Sequence, residues 1–160
     1  MKKTLILYYS LGGNTRKIAE MLHHYLDEDI SEIHTKMPYE GSYNEIVKQG
    51  KDEVDKGFLP EIQVLSPSPS SYDQIILGSP VWWYTFAPAM HTALKSQDWS
   101  EKEIYPFATN GGWIGHTFQD FSSACAGAHV HAGLNIRFDA SRLVTPKEDI
   151  LSWAEKIKHN

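Results

Sequence analysis

The segment Leu5-Ile6-Leu7-Tyr8-Tyr9-Ser10-Leu11-Gly12-Gly13-Asn14-Thr15 decides the fold. Its first half is an apolar run. Its second half, from Ser10, is a turn rich in hydroxyl groups and glycine. Behind it, Ile18, Leu22, Tyr25 and Leu26 share one helical face. The order is strand, turn, helix. The first N–H groups of a helix lack intrahelical partners, and the helix dipole places partial positive charge there, so this order makes an anion site. Gly12 and Gly13 tolerate positive φ and let the backbone close around a phosphate. Ser10, Asn14 and Thr15 add side-chain donors. Taken alone, the loop is explained equally well as an ordinary helix start capped by Asn14 or Thr15.

Two common phosphate loops are excluded. No lysine sits within residues 10–15, as the Gly-Lys-Ser/Thr triplet requires, and Thr15 stands where the dinucleotide fingerprint needs its third glycine. Neutral donors suit a phosphate monoester at the end of a cofactor better than a transferring triphosphate. Arg16 and Lys17 follow the loop but fall on the helix.

The chain has 160 residues, enough for a sizeable core, and we expect one domain spanning 1–160. A net charge of −5 argues against nucleic-acid binding, and no apolar run reaches membrane-spanning length. Lys2 and Lys3 precede only a short apolar stretch, which reads as a strand and not a signal peptide. The single cysteine, Cys125, sits between two alanines and reads as packing. Cytoplasm is the default compartment. The Ser66–Ser71 Pro/Ser cluster is a loop, too short for a linker.

Strands are predicted over about 3–9, 30–35, 73–79, 104–109 and 129–135, with Arg137-Phe138-Asp139 as an extension or edge piece. Helices are predicted over about 15–27, 86–97, 115–125 and 146–158. A lightly buried helix is expected within 43–57, carrying Ile46, Val47 and Val54. Thr145, Pro146 and Glu148 read as a capping box at the start of the last helix. The alternation implies an α/β three-layer sandwich: a five-stranded parallel sheet in the order 2-1-3-4-5, covered on both faces. In such sheets ligands bind beyond the carboxyl ends of the strands, at the switch point. The loops after the first, third and fourth strands therefore converge on one crevice.

Those three loops resemble the flavodoxin family, which binds flavin mononucleotide (FMN). Tyr9–Thr15 is similar to the family's phosphate loop. Ile75-Ile76-Leu77-Gly78-Ser79-Pro80-Val81-Trp82-Trp83 is similar to the strand and loop covering one side of the flavin ring. Pro106-Phe107-Ala108-Thr109-Asn110-Gly111-Gly112-Trp113-Ile114-Gly115 is similar to the second ring-binding loop. The resemblance implies a flavodoxin-like fold with FMN as cofactor. Phosphate contacts would come from Ser10, Leu11, Gly12, Gly13, Asn14 and Thr15. Ring contacts would come from Ser79, Pro80, Val81, Trp82, Trp83 and Tyr84, and from Thr109, Asn110, Gly111, Gly112, Trp113 and Gly115.

An isoalloxazine ring needs aromatic walls and a polar edge, and these segments carry both. Neither ring loop, 79–87 or 109–115, contains a charged residue, so a neutral pocket is expected to disfavour extra negative charge on the reduced ring. The flavin supplies the redox chemistry, so no catalytic acid or base is expected. The chain departs from the family pattern at Gly12, where threonine is usual, and near Tyr84, where many relatives have a glycine that lets a peptide flip. The second departure leaves one-electron stabilisation open.

Three functions follow from the sequence. The first is an electron-transfer flavoprotein serving a redox partner protein. The second is a two-electron reductase using a nicotinamide nucleotide to reduce a quinone-type acceptor. The third is a non-redox module for another phosphorylated ligand or a protein. A homodimer is left open. No metal is expected: His129 and His131 share a strand face, but no His-Glu-x-x-His or paired-cysteine pattern exists. His116 lies just after the second ring loop, facing either the cleft or water. Asp120 reads as a solvated helix residue and Asp73 as a strand start.

Overall fold

The computed structural model describes residues 2–160. Its strands are β1 (Thr4–Tyr8), β2 (Asp29–Glu32), β3 (Gln74–Trp82), β4 (Thr85–Phe86), β5 (Glu103–Asn110), β6 (His129–Val130), β7 (Leu134–Asp139) and β8 (Arg142–Leu143). Its α-helices are α1 (Asn14–Leu26), α2 (Tyr43–Lys56), α3 (Pro88–Lys95), α4 (Thr117–Ala124) and α5 (Lys147–Lys158). The sheet runs β2-β1-β3-β5-β7-β8, with β4 paired to β3 and β6 to β5. The five principal strands β2, β1, β3, β5 and β7 are parallel; β4 and β8 fold back as antiparallel hairpin arms. The expected 2-1-3-4-5 order is present, with short hairpins added.

Alternation along each strand divides the core into two layers. Leu5, Leu7, Ile75, Leu77 and Ile104 face α3 and α4, where Met90, Leu94 and Phe121 pack. Ile6, Tyr8, Ile76, Phe107 and Ile136 face α1 and α5, where Ile18, Leu22, Ile150 and Ile157 pack. Full burial of each large aliphatic or aromatic side chain contributes about 1.5–3 kcal/mol. The Phe107 ring lies directly over Gly78: a Cβ there would come 2.1 Å from its Cζ. Cys125 is buried in the first layer, and burial pushes its thiol up to about 12. It is packing, as expected.

Two details differ from the sequence reading. The strand expected over 129–135 is two pieces, β6 and β7, which take successive stretches of the same edge of β5. β6 pairs with Glu103 and Ile104, and β7 pairs with Phe107 through Asn110. Between them Gly133 passes under the Phe118 ring, where a Cβ would meet the ring at 2.3 Å. The capping box expected at α5 does not form: Pro146 precedes the helix without a side-chain cap, and the Thr145 hydroxyl accepts Arg137 N–H at 2.8 Å. The capping box is instead at α2, where Ser42 and Glu45 bond each other's backbone N–H.

Candidate functional site

The loop after β1 begins as sheet, with Tyr9 N–H donating to Gly78 O at 3.0 Å. It then turns through Gly12 (φ 80°) and Gly13 (φ 98°), and a Cβ on either would meet nothing within 4 Å. Glycine is needed here for backbone conformation, and the space above it is open. Gly13, not Asn14 or Thr15, occupies the cap position of α1 and brings no side-chain cap of its own. Asn14 donates its amide to Ala140 O at 2.9 Å, while the Thr15 and Thr109 hydroxyls pair at 2.7 Å. Ser10 Oγ accepts Arg16 N–H at 3.1 Å. The two following cations are committed elsewhere, Arg16 to Glu32 and Lys17 to Ser141 O. Tyr8 also donates to Glu32, and its phenol is pushed up to about 12, first by burial and then by that carboxylate. The result is a neutral, donor-lined loop at a helix N-terminus.

The loop after β3 is a two-residue hairpin. Trp82 pairs with Thr85, and the turn residues Trp83 (φ 49°) and Tyr84 (φ 73°) are both left-handed. Two successive positive-φ residues are the mark of a type I′ turn, which normally takes Asn or Gly. The three aromatics diverge. The Trp82 ring turns toward α2, edge-on to Tyr9 and Tyr39 and 3.2 Å from where a Gly50 Cβ would lie. Trp83 donates to Val47 O at 3.4 Å and lies under Lys51 Nζ. Tyr84 meets Trp113 edge-on at 6.0 Å. Ser79 is fully buried and ties the hairpin base, its hydroxyl accepting Ala87 N–H at 3.0 Å. Pro80 pairs with Thr109 across the sheet.

The loop after β5 closes on the hairpin. Tyr84 O accepts His116 N–H at 2.8 Å, and a Cβ on Gly115 would come 2.3 Å from the same oxygen. Asn110 Oδ1 accepts Gly112 N–H at 2.9 Å. A crevice of about 610 Å³ lies between these loops, lined by Val81, Trp83, Tyr84, Asn110, Gly111, Gly112, Trp113 and Arg137. Seven of those eight are among the expected ring contacts; Ser79, Pro80, Thr109 and Gly115 are not in the lining, and Trp82 faces α2.

Arg137 corrects the expectation of an uncharged pocket. It comes from β7, paired with Asn110, and its Nε lies 3.7 Å from where a Gly112 Cβ would stand. The outward positions of β7, Asn135, Arg137 and Asp139, alternate with buried Ile136 and Phe138. That alternation is visible in the sequence once the strand is run past residue 135.

A family model described as Flavodoxin matches residues 3–157. The chain belongs to the flavodoxin family. Among solved structures, a flavoprotein from Lactobacillus acidophilus NCFM, in complex with FMN, is 30% identical with TM-score 0.73, covering 84% of this chain and 93% of that one. A Bacteroides eggerthii DSM 20697 protein is 24% identical at TM-score 0.82 over 98% of both chains. Oxidised Flavodoxin 2 from Bacillus cereus is 21% identical at TM-score 0.58, over 98% of this chain and 95% of that one. The last two show the fold alone. No curated protein sequence matches. Among the described residues, no helix is long and apolar enough to cross a membrane.

Behind the Tyr84–Gly115 contact, this flavodoxin-family chain has a second cleft of about 530 Å³, whose lining includes Thr85, His91, His116 and Asp120. Asp120 is not a simply solvated helix residue. It accepts from the Thr85 hydroxyl and contacts His116 Nδ1, joining α4 to the hairpin. His116 itself is more than half exposed. Burial pushes the His91 imidazole below its ordinary value, and Lys95 adds to that.

Proposed function

We propose that residues 1–160 act as one FMN-binding domain that takes electrons from one redox partner and passes them to another. The observation that carries this reading is the placement of three loops at the carboxyl ends of the adjacent strands β1, β3 and β5. One is an open glycine cradle at a helix N-terminus, and the other two enclose an aromatic crevice. The FMN-bound Lactobacillus acidophilus relative supports it.

The cofactor supplies the electron chemistry, and the chain supplies binding and electrostatics. Backbone N–H groups at Gly12, Gly13 and the first turn of α1 would hold the phosphate, with Ser10, Asn14 and Thr15 as side-chain donors. Trp83, Tyr84 and Trp113 would flank the ring. Arg137 would favour negative charge at the crevice, opposing the bias of the neutral loops. Tyr84 and Trp113 are 49% and 67% exposed, so the rim of the crevice is reachable by a partner.

The test is a fluorescence titration of the apoprotein with FMN and with riboflavin, followed by anaerobic stepwise reduction with visible absorption. Stoichiometric quenching by FMN, weaker quenching by riboflavin and reversible reduction are expected. Absence of quenching overturns the proposal. Thr15→Ala should weaken FMN binding by about 1–2 kcal/mol, the scale of a lost hydrogen bond to a charged group. An unchanged affinity would remove Thr15 from the phosphate site.

A further inference from the structure

The opposite end of β5 carries a second cluster of chemistry. Glu103 opens that strand and pairs with His129 of β6, and His131 continues the pairing by donating its N–H to Ile104 O at 2.8 Å. Residues two apart on an extended chain project to one side, so both imidazoles reach the same carboxylate. His131 Nε2 lies 2.8 Å and His129 Nδ1 3.2 Å from Glu103 Oε1. The two imidazole centroids are 4.2 Å apart. One ligand atom from each of the three residues falls within 4.8 Å of the others. His131 is stacked on Tyr105 at 4.1 Å and 5°, which fixes its ring plane.

We propose that Glu103, His129 and His131 form a binding site for a divalent transition-metal cation of the zinc type. Two imidazoles and a carboxylate are the donor set such ions take, and three protein ligands leave a position for water. Around a tetrahedral ion with bonds near 2.0–2.1 Å, neighbouring donors lie about 3.3 Å apart. The carboxylate–imidazole separations are near that value, and an ion enters once His131 gives up the proton it points at Glu103 and the carboxylate swings off that N–H line. Each imidazole then binds as the neutral base and the carboxylate as the anion.

The fold supports this assignment. β6 contributes only half-buried Val130 to the core side, and its pairing with β5 lays His129 beside Glu103. Two neighbours moderate affinity. Lys2 adds positive charge near Glu103, and Asn160 Nδ2 donates to Glu103 Oε1 at 3.4 Å. The site is roughly 23 Å along β5 from the crevice, at 3.3 Å per residue. It is therefore a structural or regulatory site, independent of the FMN reading.

Calorimetric titration of the untagged full chain, FMN-loaded and cleared of metal with chelator, should show one saturable Zn²⁺ per chain. The flavin spectrum should not change. His129→Ala should weaken binding by at least about tenfold, the loss expected when even an outer partner of a metal ligand is removed. His129 is two-thirds exposed, so that variant keeps the fold. His131→Ala and Glu103→Gln should weaken binding similarly, and Zn²⁺ should raise the thermal midpoint of wild type but not of His129→Ala. No saturable binding into the millimolar range, or binding that survives His129→Ala unchanged, would overturn the proposal.

Discussion

The loop after β1 and the hairpin after β3 solve the same geometric problem in opposite ways. Each places two consecutive left-handed residues at the carboxyl end of a neighbouring strand. The first uses Gly12 and Gly13, the second Trp83 and Tyr84. A left-handed residue with a Cβ costs about 1–2 kcal/mol, and glycine escapes that cost. The glycine turn therefore carries little backbone strain, and it leaves open space above its backbone. The hairpin shows two aromatic rings to the crevice, and its conformation is imposed from outside. Val47 O and Lys51 hold Trp83, while His116 N–H and Trp113 hold Tyr84. One loop is shaped to receive an anion and the other to display surface.

Gly115→Ala tests this contrast most severely. Its Cβ would sit 2.3 Å from Tyr84 O at a residue whose own φ is 59°. Overpacking and left-handed strain together should cost about 3 kcal/mol or more in urea denaturation. A near-neutral result would mean that the hairpin is not clamped by the third loop. A finer test compares Tyr84→Val with Tyr84→Asn. Both lose the ring, but only valine is β-branched, so Tyr84→Val should be less stable by about 1 kcal/mol. Equal stabilities would show that the turn relaxes once its ring is gone.

The outside support can be loosened further away. α2 carries Val47 and Lys51, so Ser42→Ala, which removes its N-cap, should lose about 1 kcal/mol in the same assay. Glu45 shares that capping box, and hydrogen bonding from Ser42 holds its carboxyl below the usual carboxylate range. Its folded value lies below its unfolded one, so its contribution is present above the ordinary glutamate range and disappears as pH falls through the folded value. The stability difference between wild type and Glu45→Gln should therefore be measurable at neutral pH and vanish in acid. A constant difference would mean that charge plays no part in the cap.

Local patterns were readable in the sequence, and cross-strand partners were not. The apolar run Leu5–Tyr9, the glycines behind it and the amphipathic stripe of Ile18, Leu22 and Leu26 each lie within one element, so the β1–loop–α1 unit could be recognised from adjacent residues. Arg137 reaches the crevice only through the β5–β7 register. Asp120 finds Thr85 only because α4 packs on the hairpin, and Thr145 exchanges a local capping role for a bond to Arg137. Glu103 acquires its meaning from two histidines 26 and 28 positions away. The direction of Trp82 is likewise set by α2, whose half-buried face is weakly marked in the sequence.

The β7–β8 turn has a consequence for the order in which the protein is made. Asn14 donates to Ala140 O and Lys17 to Ser141 O, while Thr15 pairs with Thr109, so the first loop is braced across separations of 126, 124 and 94 residues. On the ribosome, the segment that would grip the phosphate emerges before all three of its braces. A nascent chain stopped before residue 134 would carry the glycine turn without the strand and hairpin that hold it. Cofactor capture is thus deferred until the β7–β8 turn has been synthesised, and a flavin-loaded molecule is one whose Ala140 and Ser141 are already in place.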